Sequence, residues 1–291
     1  MVDLKAMKTP HRTKRQILGQ HFLASPGVLQ KIIEVVNPGK EDLVIEIGPG
    51  RGALTFPLAE KAGKVVAVEV DPQFRPILEE KGLPNLKVIE ADVLHIDFRE
   101  LAAAEKGTLL RTTIAGNIPY SISGPLFYKI IAEREAFARA VFLVQKEMAV
   151  RLAAVPGTKD YSPISILVQI YFRVRSVFAV HPGSFSPPPR VESVVISLDV
   201  RPEPLVPVVD ERRFTRFLRA SFHQRRKTLW NNLGAAGWPG SVIEQALGEA
   251  GLSSKIRAEQ VTIAQFSSLY GFHGRGHAGA GGLDWDPDSL E

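Results

Sequence analysis

The residues in this chain best suited to chemistry are Asn117-Ile118-Pro119-Tyr120. An exocyclic amine on a nucleobase is a poor nucleophile, because its lone pair is delocalised into the ring. A strong base helps little, since the proton leaves most readily after attack. Two acceptors on the two N–H bonds help more, by drawing the nitrogen toward tetrahedral geometry. Asn117 offers a side-chain carbonyl, and Ile118 a backbone carbonyl made accessible because Pro119 fixes the turn. Tyr120 offers a face for an extruded base. Phe185, in Ser184-Phe185-Ser186-Pro187-Pro188-Pro189, could stack on the opposite face; equally, it could anchor that rigid loop in the core.

Upstream stands Glu46-Ile47-Gly48-Pro49-Gly50-Arg51-Gly52. Its glycines allow a sharp turn and a close backbone approach to a ligand, and a following helix would present free N–H groups. Glu69 follows about 20 residues later, at the end of an apolar run, where an acid can hold ribose hydroxyls. Asp92 ends the next such run, within reach of an adenine amine. Gly48, Gly50 and Ala53 also satisfy the dinucleotide pattern, so a nicotinamide or flavin dinucleotide is the rival ligand. Gly52, and the acid at Glu46 close to where a pyrophosphate would lie, favour S-adenosylmethionine instead. A turn that merely packs helix on strand is the plainer alternative. Taken together, the glycine turn and the tetrapeptide suggest methyl transfer to a nucleobase nitrogen.

The elements that must position these residues follow from periodicity. Apolar runs at 43–47, 65–70, 86–91, 109–115 and 140–145 predict strands. They alternate with helical stretches at 26–36, 53–62, 72–80, 124–135 and 146–154. That alternation implies an α/β fold with a mostly parallel, doubly wound sheet. Residues 161–180 read as a helix to 171 and then a strand, and 193–199 as a late antiparallel edge strand. Arg201-Pro202-Glu203-Pro204 and Pro207 read as a linker, and 210–272 show only helical periodicity. The expected division is therefore a domain over 1–200, opening with a basic segment at 1–25, and a small all-helical domain over 201–272. A glycine-rich, then acidic, tail at 273–291 is expected to be disordered.

Composition narrows the chemistry further. The 291 residues contain no cysteine, which excludes disulfides, thiolate metal sites and a cysteine nucleophile. The seven histidines show no metal-binding spacing, so no metal is expected. Residues 1–20 carry no secretory pattern, and no apolar run reaches the ~18 residues of a membrane span. A cytoplasmic protein with no membrane association is the expectation. Net charge is +5, but its distribution is more telling. Lys5, Lys8, Arg12, Lys14 and Arg15 face only Asp3, and 212–227 hold seven cations and no acid. Arg225, Arg226 and Lys227 within that stretch read as RNA-phosphate contacts, against the alternative of a solvated helix face.

These residues resemble a known family, the ribosomal RNA adenine dimethyltransferases, in the branch that modifies two adjacent adenosines near the 3′ end of small-subunit rRNA. The resemblance is carried by Gly19 to Leu23, Glu46 to Gly52, Val68 to Asp71, Ala91 to Val93, Asn117 to Tyr120, Phe185 to Ser193 and Ser221 to Leu229. It implies a Rossmann-like class I methyltransferase sheet and S-adenosylmethionine as cofactor. It implies cofactor contacts at His21, Leu23, Gly48, Gly50, Glu69, Asp92 and Asn117, and base stacking by Tyr120 and Phe185. The implied partner is rRNA within an assembling small subunit; a monomer is expected, since the sequence shows no dimer-forming motif. His21 stands where the family often has asparagine, and Ile118 where this branch often has leucine. The large-subunit branch associated with antibiotic resistance is the nearest enzyme alternative. A mainly non-catalytic assembly factor is the alternative of another class.

Overall fold

The computed structural model describes residues 21–276. The basic segment at 1–20, Gly19-Gln20 of the family pattern, and residues 277–291 lie outside the described residues. The chain runs β1 (Phe22–Leu23), α1 (Pro26–Val36), β2 (Asp42–Ile47), α2 (Thr55–Lys61), β3 (Lys64–Glu69), α3 (Arg75–Glu79), β4 (Leu86–Glu90), α4 (Phe98–Lys106) and β5 (Arg111–Asn117). It continues α5 (Ser123–Ala132), β6 (Arg139–Gln145), α6 (Lys146–Leu152), α7 (Pro163–Tyr171), β7 (Phe172–Val180), β8 (Phe185–Ser186) and β9 (Ser193–Val200). Four helices close it: α8 (Glu211–Ser221), α9 (Leu229–Ala235), α10 (Gly240–Glu249) and α11 (Ile263–Gly276).

Local chemistry explains the boundaries. Helix α1 starts with proline in its first turn, where the missing N–H costs nothing, and stops at Asn37 in the left-handed region (φ 47°). It buries Ile32, Ile33 and Val36 on one face. Helix α4, which the apolar pattern did not predict, is capped by Asp97, whose carboxylate accepts from Arg99 N–H at 2.7 Å and Glu100 N–H at 3.1 Å. Helix α11 runs through residues 273–276, where the sequence reading placed the start of a tail.

Seven strands form one sheet in the order β4-β3-β2-β5-β6-β9-β7. β2 lies parallel to both β3 and β5, with Ile47 opposite Val68 on one side and Gly116 on the other. The doubly wound sheet expected from the alternation is present, and its order reverses at β2. The β1 and β8 segments form a separate two-stranded ribbon, Leu23 opposite Phe185.

One expectation is corrected. β9 is not an edge strand; it lies between β6 and β7. Its side chains from Ser193 to Leu198 are buried, whereas β7 carries exposed Arg173 and Arg175. Charge on an edge strand blocks further pairing, so β7 is the strand fit for that position.

Contacts divide the chain into two compact units. One takes residues up to Leu126, Val141–Gln145 and Phe178–Val195; the other takes Phe127–Ala140, Lys146–Val177 and residues from Ile196. This division does not fall at the 200/201 boundary read from the prolines. The first unit has a core of Ile32, Ile33, Val36, Val44, Leu58 and Val65, all at most 3% exposed. In the second, Phe214, Phe217, Phe222, Phe266 and Tyr270 pack ring against ring. Among the described residues no helix is long and apolar enough to cross a membrane, and no group of His, Asp or Glu could hold a metal ion.

Candidate active site

In a doubly wound sheet, ligands bind beyond the carboxyl ends of the strands where the strand order reverses. Here the reversal is at β2, and a cavity of about 170 Å³, partly open to solvent, lies at that place. Strand ends supply its walls: Ile47 and Gly48 at the end of β2, Val68, Glu69 and Val70 at the end of β3, Ala91 and Asp92 after β4, and Asn117 to Ile122 at and beyond the end of β5. His21 and Phe22 close another side. A second recess of about 330 Å³ shares Phe22, Gly48 and Asn117 and adds Leu23, Ala24, Glu46 and Arg51.

The glycine turn is held by its own backbone and by one carboxylate. Gly48 N–H donates to Val68 O at 3.0 Å and Gly52 N–H to Pro49 O at 2.9 Å. Gly50 N–H donates to Glu69 Oε2 at 3.0 Å, and Asp71 N–H donates to Glu69 Oε1 at 2.9 Å. Gly50 has φ +52°, and a Cβ there would stand 2.9 Å from the Phe22 ring, so both conformation and space require glycine. Helix α2 begins only at Thr55 and has seven residues, shorter than the expected 53–62. The N–H groups of Gly48, Gly50 and Gly52 are all spent within the protein, so these glycines shape the turn by conformation and close approach.

The electrostatics discriminate between ligands. Glu46 is 1% exposed, Glu69 5% and Asp71 1%. Burial pushes the Glu46 carboxyl up to about 8. The nearby Thr55 hydroxyl, outside hydrogen-bond geometry, opposes that rise, and the Glu69 charge adds to it. Glu46 Oε2 has no hydrogen-bond partner. Burial also raises Glu69, against the hydrogen bonds from Asp71 and Gly50 that favour its charged form. Carboxyl groups gathered under one turn offer a pyrophosphate no counter-charge, and they suit a ligand with hydroxyl donors and a positive charge that would favour the ionised form of Glu46. S-adenosylmethionine has a sulfonium, an ammonium and two ribose hydroxyls, and fits this donor and acceptor set.

At the end of β5, Asn117 Nδ2 donates to the His21 carbonyl at 2.8 Å. Ile118 N–H donates to Leu143 O at 3.0 Å, which sets the peptide plane after the strand. Tyr120 opens a short 3-10 turn, and its phenol is 3.1 Å from Ser193 Oγ. Its ring lies 5.8 Å from the His21 ring at 31°. His21 Nδ1 is 2.9 Å from Pro187 O; a carbonyl only accepts, so Nδ1 carries the proton. Asp92 Oδ1 accepts from Leu94 N–H at 2.9 Å, while Oδ2 lies 3.6 Å from the exposed His95 ring.

The structure thus brings His21, Gly48, Gly50, Glu69, Asp92, Asn117, Ile118, Pro119 and Tyr120 to one cavity, and Leu23 to the adjoining recess. It does not bring Phe185 there. That side chain is 4% exposed and packs in the core with Leu23, Val180 and Val195, because β8 pairs with β1 and turns the ring inward. Of the two readings of Phe185, its burial in this structure favours the loop anchor over a second base-stacking face. Sequence reasoning missed Val70, Val93, Ser121, Ile122 and Ser193. The first four adjoin recognised motif residues and were open to inference by neighbourhood. Arg225, Arg226 and Lys227 lie in the other unit and are exposed. Arg225 also donates to Lys159 O and stands 3.6 Å from Glu259 Oε2.

Residues 11–273 match the model of a family described as ribosomal RNA adenine dimethylase. A relative from Geobacter sulfurreducens, Ribosomal RNA small subunit methyltransferase A, is 43% identical over 259 residues, covering 88% of this chain and 93% of that protein. The protein of the same name from Bacillus mycoides is 40% identical over 282 residues, covering 91% and 97%. Among solved structures, a dimethyladenosine transferase from Plasmodium falciparum superposes with a TM-score of 0.76 at 28% identity, covering 88% of this chain and 98% of the other. The 23S rRNA methyltransferase ErmE gives 0.64 at 26% identity, covering 86% and 98%.

Proposed function

The chain belongs to the ribosomal RNA adenine dimethylase family, and we propose on that footing how its cavity performs the reaction. The protein is an S-adenosylmethionine-dependent enzyme that dimethylates N6 of adenosines in small-subunit rRNA. When bound, S-adenosylmethionine supplies an electrophilic methyl group on a sulfonium that departs as a neutral thioether.

The observation that carries the reading is the state of Asn117. One of its amide hydrogens is spent on His21 O, so its orientation is set and Oδ1 remains as an acceptor for the target amine. The Ile118 carbonyl is the second acceptor. Tyr120 receives the face of the extruded adenine, whose unstacking costs a few kcal/mol. Glu69 holds the cofactor ribose, Asp92 its adenine amine, and Gly48, Gly50, His21 and Leu23 line its path. Residues 201–272 form the RNA-binding domain, with Arg225, Arg226 and Lys227 on phosphates. The substrate is a pair of adjacent adenosines near the 3′ end, within a late assembly particle in the cytoplasm, and the enzyme acts as a monomer.

The test is incubation of undermethylated small subunits with S-adenosylmethionine, followed by mass analysis of adenosines. Dimethyladenosine in small-subunit rRNA is expected. The likeness to ErmE supports a second reading, methylation of large-subunit rRNA, and label appearing only there would favour it.

A further inference from the structure

Ser193 falls within the family pattern, yet the reaction as described gives it no task. It is the first residue of β9, is 1% exposed and is not a wall of the cavity. Its hydroxyl stands 3.1 Å from the Tyr120 phenol, 73 positions away in sequence. We propose that Ser193 is a positioning residue for the base site: it holds the far end of Tyr120 and so sets the plane on which the target adenine stacks. The inference rests on Tyr120 being the stacking residue.

A tyrosine at an open cavity can swing about two side-chain torsions. Ordering it when the base arrives would weaken binding at that moment, and ordering it beforehand avoids this. Tyr120 is held at three places. Its backbone opens the turn Tyr120–Ile122, its ring meets the His21 ring at 5.8 Å, and its oxygen meets Ser193. His21 is itself fixed, by Pro187 O on its ring and by Asn117 on its carbonyl. The ring plane and the Asn117 acceptor are therefore referred to the same residue. Ser193 closes this arrangement from a buried position that is not part of the cavity wall, so it would act through Tyr120.

The experiment compares Ser193→Ala, Tyr120→Phe, the double variant and Tyr120→Ala in single-turnover methyl transfer. Stacking is read in parallel by fluorescence of RNA with 2-aminopurine at the target position. Ser193→Ala should slow transfer about 5-fold, the scale of one net hydrogen bond. It should leave the KM for S-adenosylmethionine unchanged and reduce quenching of the probe. Tyr120→Phe, which keeps the ring and loses the same bond, should match it, and the double variant should be no slower than either. Losses that multiply would show Ser193 acting elsewhere and overturn the proposal. So would wild-type transfer by Ser193→Ala beside a slow Tyr120→Ala. Wild-type transfer by Tyr120→Ala would instead overturn the stacking reading itself. Should Ser193→Ala not fold, Tyr120→Phe decides alone, and an unchanged rate and quench there overturns the tether.

Discussion

Asn117 and His21 are joined across 96 positions by a hydrogen bond of 2.8 Å from the side-chain amide to the backbone carbonyl. An Asn amide has two donors and one acceptor oxygen, so a bond that takes a donor fixes which way the oxygen faces. The segment carrying His21 and Phe22 is thereby coupled to the end of β5, and the order of one bears on the other.

Asn117→Ala should remove an acceptor from the transition state. A lost bond of ~3 kcal/mol corresponds to about 10²-fold in rate. Single-turnover transfer should show that loss for both methyl additions, because monomethyladenosine keeps one N–H needing the same acceptor. RNA binding, measured separately, should be retained. Asn117→Asp should be no better, since a carboxylate cannot donate to His21 O. Near-normal turnover of Asn117→Ala would remove the acceptor mechanism while leaving the family assignment intact.

Glu69→Ala should weaken S-adenosylmethionine binding by about 1–3 kcal/mol, the scale for hydrogen bonds to a charged group. Each carboxylate oxygen already takes one backbone N–H, from Gly50 or Asp71, and keeps a lone pair for a ribose hydroxyl. The variant should therefore also loosen the glycine turn, visible as faster hydrogen exchange at Gly50. Unchanged affinity by calorimetry would exclude a ribose contact.

Glu46 makes the stability of the ligand-free protein fall as pH rises from about 4.5 to about 8. Its folded pKa of about 8 lies above the unfolded 4.5, so between those values the folded state holds a proton the unfolded state has lost. Stability from this group is intact below about 4.5 and declines as pH rises through 8, at no more than about 1.4 kcal/mol per pH unit. Glu46→Gln should flatten the fall in Tm over that window relative to wild type. A cationic ligand should bind more tightly above pH 8, where the carboxylate is charged. Parallel Tm curves for variant and wild type would show that Glu46 does not titrate there.

Arg225, Arg226 and Lys227 divide into two kinds. Replacing all three with Gln should lower RNA affinity and flatten its salt dependence by roughly 0.7–0.9 log unit per lost phosphate contact. Arg225→Gln alone should also lower Tm, because that side chain ties to Lys159 O and stands near Glu259. The Arg226/Lys227 double variant should keep its Tm. An unaltered salt slope in the triple variant would reduce the cluster to a solvated face.

Much was readable from the sequence alone. Apolar runs ending at Gly48, Glu69 and Asn117 marked strands and the residues at their ends, because burial on both faces of a parallel strand demands continuous apolar sequence. The glycine turn was readable for a similar reason: its backbone conformation excludes most other residues. Helix α4 was missed although Asp97 and Glu100 flank its start in the pattern of a capping box, since its apolar face is only Phe98, Leu101 and Ala102. Three features were settled only by the tertiary structure. β9 lies inside the sheet, Phe185 turns into the core, and His21 meets Pro187, Tyr120 and Asn117 at once. Each depends on which strands become neighbours. Strand order is set by the packing of the whole sheet, and no local period of the sequence encodes it.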